Sequence, residues 1–297
     1  MALGKSYSLR KSDERTGIIF ILPAFILLVV FVFIPMSKAF YYSLHDYMLV
    51  SGSKSFVGLK NYSALLQDAK FVNSIKHTFY FAVIVIPVQT AIALGLALLI
   101  KPQHRYTGFF RTAFFVPVVI STAVAGTVFK LIYNKDYGLL NALLSAVGVP
   151  KISLLSNPDI AMNGVIILGI WKAVGFFMII YLAGLNNIPQ DLYESARVDG
   201  ATKIKQFVYI TLPLLKRTTA FIIIITTIDA IKLSGLVFVL TSGGPNSSTE
   251  TIVYFIFQTA FEQMQMGYAS AAAFILFFMI LIISVVQMFS LRSKVNY

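Results

Sequence analysis

Three ionisable side chains stand inside stretches that are otherwise apolar: Lys172, Asp229 and Lys232. A lone charge at the centre of a bilayer costs about 2.5–3.5 kcal/mol on insertion scales, so residues of this kind are functional candidates. Lys172 lies at the middle of the fourth apolar run and Asp229 near the middle of the fifth, with Lys232 one helical turn further on. Asp229 and Lys232, at i and i+3, share a helix face and can neutralise each other, and Lys172 can equally pair with Asp229 between helices. Two readings follow. Either the cluster, with Trp171 and Tyr181 close by, lines a cavity and offers polar partners and a stacking surface to a hydroxyl-rich solute. Or it is a buried ion pair that fixes helix packing. Catalysis would need acid, base or nucleophile groups converging at one depth. Asp229 is the single carboxylate in these runs, with no His or Cys near it, which argues against an intramembrane enzyme. The chain has no Cys, so disulfides, thiolate metal sites and Cys nucleophiles are excluded. Its three histidines, His45, His77 and His104, are scattered, and no His-built metal site is expected. No GxxxxGK[ST] phosphate loop occurs, so any ATP-driven work belongs to another chain.

The elements that must hold these residues follow from composition. Of 297 residues, 58% are hydrophobic and 12% charged, against about 25% charged in soluble domains. One soluble core of this size could not hide so much apolar surface, and lipid is the alternative solvent. A span needs about 20 mainly apolar residues. Six such runs occur, at about 17–42, 77–100, 109–133, 160–184, 218–241 and 267–290. They are continuous and too long for the alternating ten-residue segments of a β-barrel. Within lipid each backbone group must be satisfied inside its own segment, so the six are read as helices and the chain as all-α. The first run, uncharged over Thr16–Ser37 and lacking a convincing cleavage signature, reads as an uncleaved span rather than a signal peptide. Pro87, Pro117, Gly95 and Gly126 interrupt the second and third spans, marking either broken helices or tolerated kinks. Gln89, Asn134, Asn141 and Asn186 are read as amides that link helices. Lys38 and Lys130 are expected to snorkel to the interface.

Net charge is +12. In a soluble protein this would suggest nucleic acid, but membrane proteins collect Lys and Arg in cytoplasmic loops, and no nucleic-acid partner is expected. With the N-terminus inside, fourteen basic residues fall on the cytoplasmic side: Lys5, Arg10, Lys11 and Arg15; Lys101, Arg105 and Arg111; Arg197, Lys203, Lys205, Lys216 and Arg217; Arg292 and Lys294. Six fall outside: Lys54, Lys60, Lys70, Lys76, Lys135 and Lys151. The bias places both termini in the cytoplasm.

Between the fourth and fifth spans the chain reads Asn187-Ile188-Pro189-Gln190-Asp191-Leu192-Tyr193-Glu194-Ser195-Ala196-Arg197-Val198-Asp199-Gly200-Ala201, and continues to Pro213. Pro189 suits the first position of a helix, and Asp191 in the first turn is favoured by the dipole. Gly200 fits the left-handed position that ends a helix. Ile204, Phe207 and Val208 then share one side of a second short helix. The expectation is an amphipathic elbow suited to docking in a partner's groove. Glu194-Ser195-Ala196, Gly200 six residues after the Glu, and Ile210-x-Leu212-Pro213 resemble the EAA motif of binding-protein-dependent ABC importer permeases. Ser195 replaces the usual Ala. The flanking Leu182-Ala183-Gly184-Leu185, Ile188-Pro189 and Asp199-Gly200-Ala201 are similar to the carbohydrate-uptake, maltose-type branch. So are Trp171, Gly175, Phe56-Val57-Gly58-Leu59-x-Asn61-Tyr62 and Leu240-Thr241-x-Gly243-Gly244-Pro245.

That resemblance implies an ABC importer type I permease fold with six transmembrane helices and cytoplasmic EAA coupling helices. Its implied organisation is a segment 1–72 (cytoplasmic N-terminus, first helix and first outer loop), a permease core 73–290 with a coupling loop 185–217, and a cytoplasmic tail 291–297. The implied partners are a homologous second permease in a heterodimer, two ATP-binding cassette ATPase subunits, an extracytoplasmic solute-binding protein and a sugar or oligosaccharide. The setting is a bacterial or archaeal cell membrane. Glu194, Ser195, Ala196, Gly200, Ile210, Leu212 and Pro213 would couple to the ATPase, where ATP and Mg reside; this chain would hold no cofactor or metal and catalyse nothing itself. Trp171, Lys172, Tyr181, Asp229 and Lys232 are the substrate-path candidates. A permease for glycerol phosphate or another small polar solute is the alternative, kept open by Lys172 and Lys232. A secondary carrier or channel fits poorly, since no inverted repeat is evident.

Overall fold

A computed structural model describes residues 3–101 and 107–291, with side chains from Thr16 onward. His104, Arg105, Arg292 and Lys294, and the tail expected at 291–297 beyond Leu291, lie outside the described residues, and the side chains of Lys5, Arg10, Lys11 and Arg15 are likewise undescribed. The described chain is helical apart from one small hairpin, and it divides into two compact units.

One unit comprises Met1–Leu65 with Thr259–Phe274. Its long helix runs as α1 (Leu3–Leu28), a π-helical turn (Val29–Phe33) and α2 (Ile34–Ser43). The apolar stretch Thr16–Ser43 is long enough to cross a membrane, and none of its apolar core is buried within the chain. A hairpin follows, β1 (His45–Tyr47) antiparallel to β2 (Lys54–Phe56), with Gly52 at φ +63° in the turn. Helix α3 (Lys60–Gln67) is tied back through Asn61, whose amide donates to the Ser43 and His45 carbonyls at 2.9 Å each.

The other unit, Leu66–Gln258 with Ile275–Tyr297, carries the charged cluster. Helix α4 (Ala69–Ile100) starts under an Asp68 cap that accepts from the Lys70 and Phe71 amides. It is longer than the expected 77–100, and neither Pro87 nor Gly95 breaks it, so these are tolerated interruptions. The third span is different. Instead of one helix over 109–133 there are α5 (Thr107–Val119) and α6 (Thr122–Ile132), meeting at 99° across Ile120 and Ser121. Pro117, which lacks an amide proton and crowds the preceding turn, stands just before this break. Helices α7 (Leu139–Ala146) and α8 (Ala161–Asn186) follow, α8 matching the expected fourth span.

The fifth span is also shorter than expected. Helix α12 (Lys216–Ile231) stops well before residue 241, at about 24 Å of rise. Lys232 and Ser234 leave helical geometry, and a separate six-residue helix, α13 (Gly235–Leu240), follows. The elbow between α8 and α12 holds α9 (Gln190–Val198), α10 (Lys203–Gln206), a π-helical turn (Phe207–Thr211) and α11 (Leu212–Leu214). Beyond α13 come α14 (Ile252–Phe257), a π-helical turn (Gln258–Glu262) and α15 (Met266–Ser290), the sixth span. Among the described residues four helices are long and apolar enough to cross a membrane, and counting each of two bent pairs as one span, Thr107–Val119 with Thr122–Ile132 at 99° and Lys203–Leu214 with Lys216–Ile231 at 64°, makes six.

Two buried apolar clusters hold α4, α8 and α12 together. One gathers Phe81, Val85, Val165, Leu168 and Val237, and the other Ala93, Phe177, Met178, Leu185 and Ile222. The approach of α5 to α8 is set by Gly175. A β-carbon there would lie 1.9 Å from the Phe114 carbonyl oxygen, so only glycine lets the two backbones come this close.

Candidate functional site

The breaks between α5 and α6 and between α12 and α13 release backbone groups that lipid cannot satisfy, and at each one carbonyl is met by a side chain. At the α5–α6 break, the Ile120 carbonyl accepts from Lys172 Nζ at 2.8 Å. The ammonium thus sits at the C-terminal end of α5, where the dipole favours a cation. At the α12–α13 break, the Leu233 carbonyl accepts from Thr251 Oγ1 at 2.6 Å.

The two breaks border one cavity of about 440 Å³, within the range of small-molecule sites. Helix α4 contributes Phe81, Val85 and Gln89, stepping four residues at a time down one face, and α8 contributes Lys172 and Phe177. Helix α12 supplies Thr226 and Asp229, one turn apart, while Lys232 and Ser234 come from the break itself and Gly235 opens α13. Of the sequence candidates, therefore, Lys172, Asp229 and Lys232 are brought together. Asp229 lies in the last turn of α12 rather than near the middle of a span, and Lys232 is the residue that ends that helix. The expected ion pairs do not form: among the described residues, no charged partner stands within 4.0 Å of Asp229 from either Lys172 or Lys232.

Trp171 and Tyr181 are elsewhere. The Trp171 ring packs on Phe129, centroids 4.9 Å apart, and faces a separate apolar groove lined by Val88, Phe114 and Pro117. Tyr181 is fully buried and donates to Thr219 Oγ1 at 3.1 Å. Two cavity residues carried a weak sequence signal or none. Gln89, read as a linking amide, is 3% exposed and faces the cavity. Thr226 is 2% exposed and its hydroxyl has no partner. Thr226 is one of four threonines in α12, and its type and spacing do not single it out. Asn141 does link segments, donating to the Asn134 and Ile152 carbonyls.

The segment after α13 closes over the same unit. Thr249 Oγ1 lies 2.7 Å from Thr241 Oγ1, and the Ile252 amide donates to Thr78 Oγ1 at 3.0 Å. Glu250, 2% exposed, faces Lys70 Nζ at 3.4 Å, an ion pair rather than a hydrogen bond.

The elbow is built as its residues suggest. Pro189 sits at the N-cap, one residue before α9, and Asp191 is in the first turn. At the other end Gly200 has φ +75°, the Ala201 amide donates to the Ala196 carbonyl at 2.8 Å, and the Gly200 amide donates to that of Arg197 at 3.1 Å. This is the Schellman arrangement, which needs a left-handed residue at Gly200. Thr202 then caps α10. Tyr193 anchors the elbow: its hydroxyl meets Thr211 Oγ1 at 2.9 Å, and Lys101 Nζ stands 4.4 Å from its ring. Glu194 and Ser195 are exposed and Ala196 half-buried on α9; Ile210 is half-buried, and Leu212 and Pro213 are exposed on α11 and its approach. Among the described residues, the ion-pair partner of Glu194 is Arg197, at 3.8 Å on the exposed surface. The elbow leaves Leu192, Val198, Ile204 and Tyr209 uncovered, Val198 being 88% exposed.

Comparisons with known proteins bear on the fold and the family. The family described as "Binding-protein-dependent transport system inner membrane component" matches residues 90–294. A probable ABC transporter permease protein of Bacillus subtilis (strain 168), YurN, is 37% identical over 91% of this chain and 94% of its own. The trehalose/maltose transport system permease protein MalF of Thermococcus litoralis is 33% identical, covering 94% of this chain and 95% of its own. Among solved structures, a bacterial alginate ABC transporter in complex with an alginate pentasaccharide-bound periplasmic protein contains a chain that superposes with TM-score 0.85. That chain is 24% identical and covers 97% of this one and 99% of itself, a likeness of fold.

Proposed function

Because the chain belongs to the family of binding-protein-dependent transport system inner membrane components, we propose that it is one permease of an ATP-driven importer for a sugar or oligosaccharide. It pairs with a homologous second permease, and an extracytoplasmic binding protein delivers the solute. Two ATP-binding cassette subunits, which hold ATP and Mg, dock on the elbow. Both termini face the cytoplasm, as the basic residues argue. The trehalose/maltose permease among its relatives supports the carbohydrate class.

The observation that carries the reading is the elbow at 189–213. Val198, Ile204 and Tyr209 are large apolar side chains left open on a short helix–turn–helix knob. An apolar knob of this kind is covered by a partner's groove. The Schellman turn at Gly200 and the Tyr193 anchor make it stiff enough to transmit force. When the ATPase dimer closes on ATP, the elbows are drawn together. The motion reaches α8 and α12, between which the elbow is strung, and so the cavity they border. Lys172, Asp229 and Lys232 then face the solute path, while Trp171 and Tyr181 stabilise the packing around it.

Cysteine placed at Ala196 or Gly200 in the assembled importer tests this. Cross-linking to a nucleotide-hydrolysing subunit is expected. If membranes holding the complete system yield no such adduct, or labelling places this stretch outside, the importer reading falls.

A further inference from the structure

Helix α4 does not adjoin the elbow in the chain, yet the two grip each other. The elbow is strung between α8 and α12, so its displacement enters those two helices through the backbone. Helix α12 ends at Ile231, at the break, and does not carry the displacement further as one rigid piece. Helix α4 has no such interruption: its 32 residues run unbroken from Ala69 to Ile100, about 48 Å of rise. Lys101, which caps its end, places Nζ 4.4 Å from the centre of the Tyr193 ring, within the range of a cation–π contact. Tyr193 uses its two parts differently. Its hydroxyl ties α9 to the following π-helical turn through Thr211 Oγ1 at 2.9 Å, and its ring takes the ammonium. Alongside this contact, Ala93, Ala97 and Ile100 of α4 share a buried apolar cluster with Leu185, Ile188 and Leu215, against which Tyr193, Ile210 and Leu214 pack.

The other end of α4 is held by equally specific contacts. Lys70 Nζ donates to Gln258 Oε1 at 3.0 Å and faces Glu250 Oε1 at 3.4 Å. His77 Nδ1 stands 3.1 Å from the Glu250 carbonyl oxygen, and the Ile252 amide donates to Thr78 Oγ1 at 3.0 Å. The Phe71 and Phe255 rings pack with centroids 5.4 Å apart. The first three turns of α4 thus bind the segment 250–258. Thr251, inside that segment, holds the Leu233 carbonyl at the break that ends α12. A displacement of α4 therefore reaches that break from the far side of the unit.

We propose that α4 is a rod that carries the motion of the elbow to the segment 250–258, and that Lys101 is the positioning residue that clamps the rod to the elbow. Rigid helices are among the elements through which distant sites are coupled. Apolar contact has no direction, so the buried cluster alone lets α4 slide along its neighbours. An ammonium held over one ring fixes α4 to one residue of the elbow. The inference rests on the reading of the elbow as the ATPase dock and adds a route by which nucleotide state reaches the opposite end of the unit.

The chain contains no Cys, so a cysteine at Ser247 gives it a single labelling position. Ser247 is exposed, and its carbonyl accepts from the Glu250 amide at 3.1 Å, which ties it to the segment. In the complete permease–ATPase complex in nanodiscs, an environment-sensitive fluorophore there is read before and after ATP with vanadate traps the ATPase. No solute is needed. The parent is expected to respond. Lys101→Met should shrink the response about two- to fivefold, the factor that a contact of this kind supplies, and Lys101→Arg, which keeps a cation over the ring, should restore it. A response in Lys101→Met equal to the parent's, or a loss that Lys101→Arg fails to restore, overturns the proposal. Cross-linking from a cysteine at Ala196 separates the two readings. An adduct with the ATPase but no response at Ser247 in the parent sinks the rod and leaves the importer reading standing. With no adduct, the importer reading falls and the rod with it.

Discussion

The crossing of α5 over α8 is the tightest joint in the molecule that bears on the cavity, and Gly175→Ala probes it directly. The added β-carbon would lie 1.9 Å from the Phe114 oxygen, 2.8 Å from its carbonyl carbon and 3.1 Å from the Phe115 Cα. Ordinary contact begins near 3.4 Å, so the two backbones must part by about 1.5 Å. No rotamer change relieves this, because the obstacle is main chain. Overpacking usually costs 1–3 kcal/mol, and a backbone obstacle puts the expected cost at the upper end, about 3 kcal/mol. The displacement has a second consequence. Lys172 lies one turn before Gly175, and its bond to Ile120 spans the same pair of helices at 2.8 Å. Moving α5 outward by that amount breaks the bond and leaves a carbonyl unsatisfied at the break. Gly95→Ala supplies the control: it is also a glycine inside a long helix, but a β-carbon there meets nothing within 4 Å. Replacing it should be neutral or gain up to about 1 kcal/mol from helix propensity. Thermal unfolding of the purified complex and uptake in vesicles, measured on both variants, are the assays. Gly175→Ala should unfold several degrees lower and transport poorly, with Gly95→Ala matching the parent. Equal behaviour of the two variants would refute the argument from close approach.

Gly200→Ala should strain the left-handed turn by about 1–2 kcal/mol and lower ATP-coupled uptake while leaving assembly intact; Gly200→Asn, which tolerates that conformation better, should fall between. Comparing uptake with ATP hydrolysis across the three forms checks this. Lys70→Met would strand the buried Glu250 carboxylate. Because Lys70 is 39% exposed, the expected loss is about 3 kcal/mol or less, and adding Glu250→Gln should recover part of it. A double-mutant cycle on thermal stability measures the recovery.

Apolar run length made the six spans legible, and residue chemistry made the elbow legible down to the glycine that turns it. Those signals are local: a run of twenty apolar residues and a Gly after an amphipathic turn each carry their meaning within one segment. The two breaks were harder. Over 109–133 and 218–241 the chain stays apolar on both sides of the bend, and hydropathy does not distinguish a straight helix from a folded one. Pro117 lay beside the first break, but Pro87 stands in a helix that does not break, so proline alone does not decide. Lys232, Ser234 and Gly235 marked the second, yet one lysine in that group was read as half of an ion pair.

Lys172 shows why the rest was hidden. As a letter it is a charge in an apolar run, and the obvious partner for a charge is an opposite charge. In the fold its hydrogen-bond partner is the Ile120 carbonyl, an acceptor that every residue possesses and that becomes available only where a helix stops. Thr251 answers the Leu233 carbonyl in the same way. Backbone groups set free by a bend have no letter of their own, so side chains that satisfy them are mistaken for partners of one another. Once those two bonds are assigned, Asp229 is left without the salt bridge that would have made it structural. The walls of the cavity are held by bonds at the breaks rather than by its charges pairing with one another.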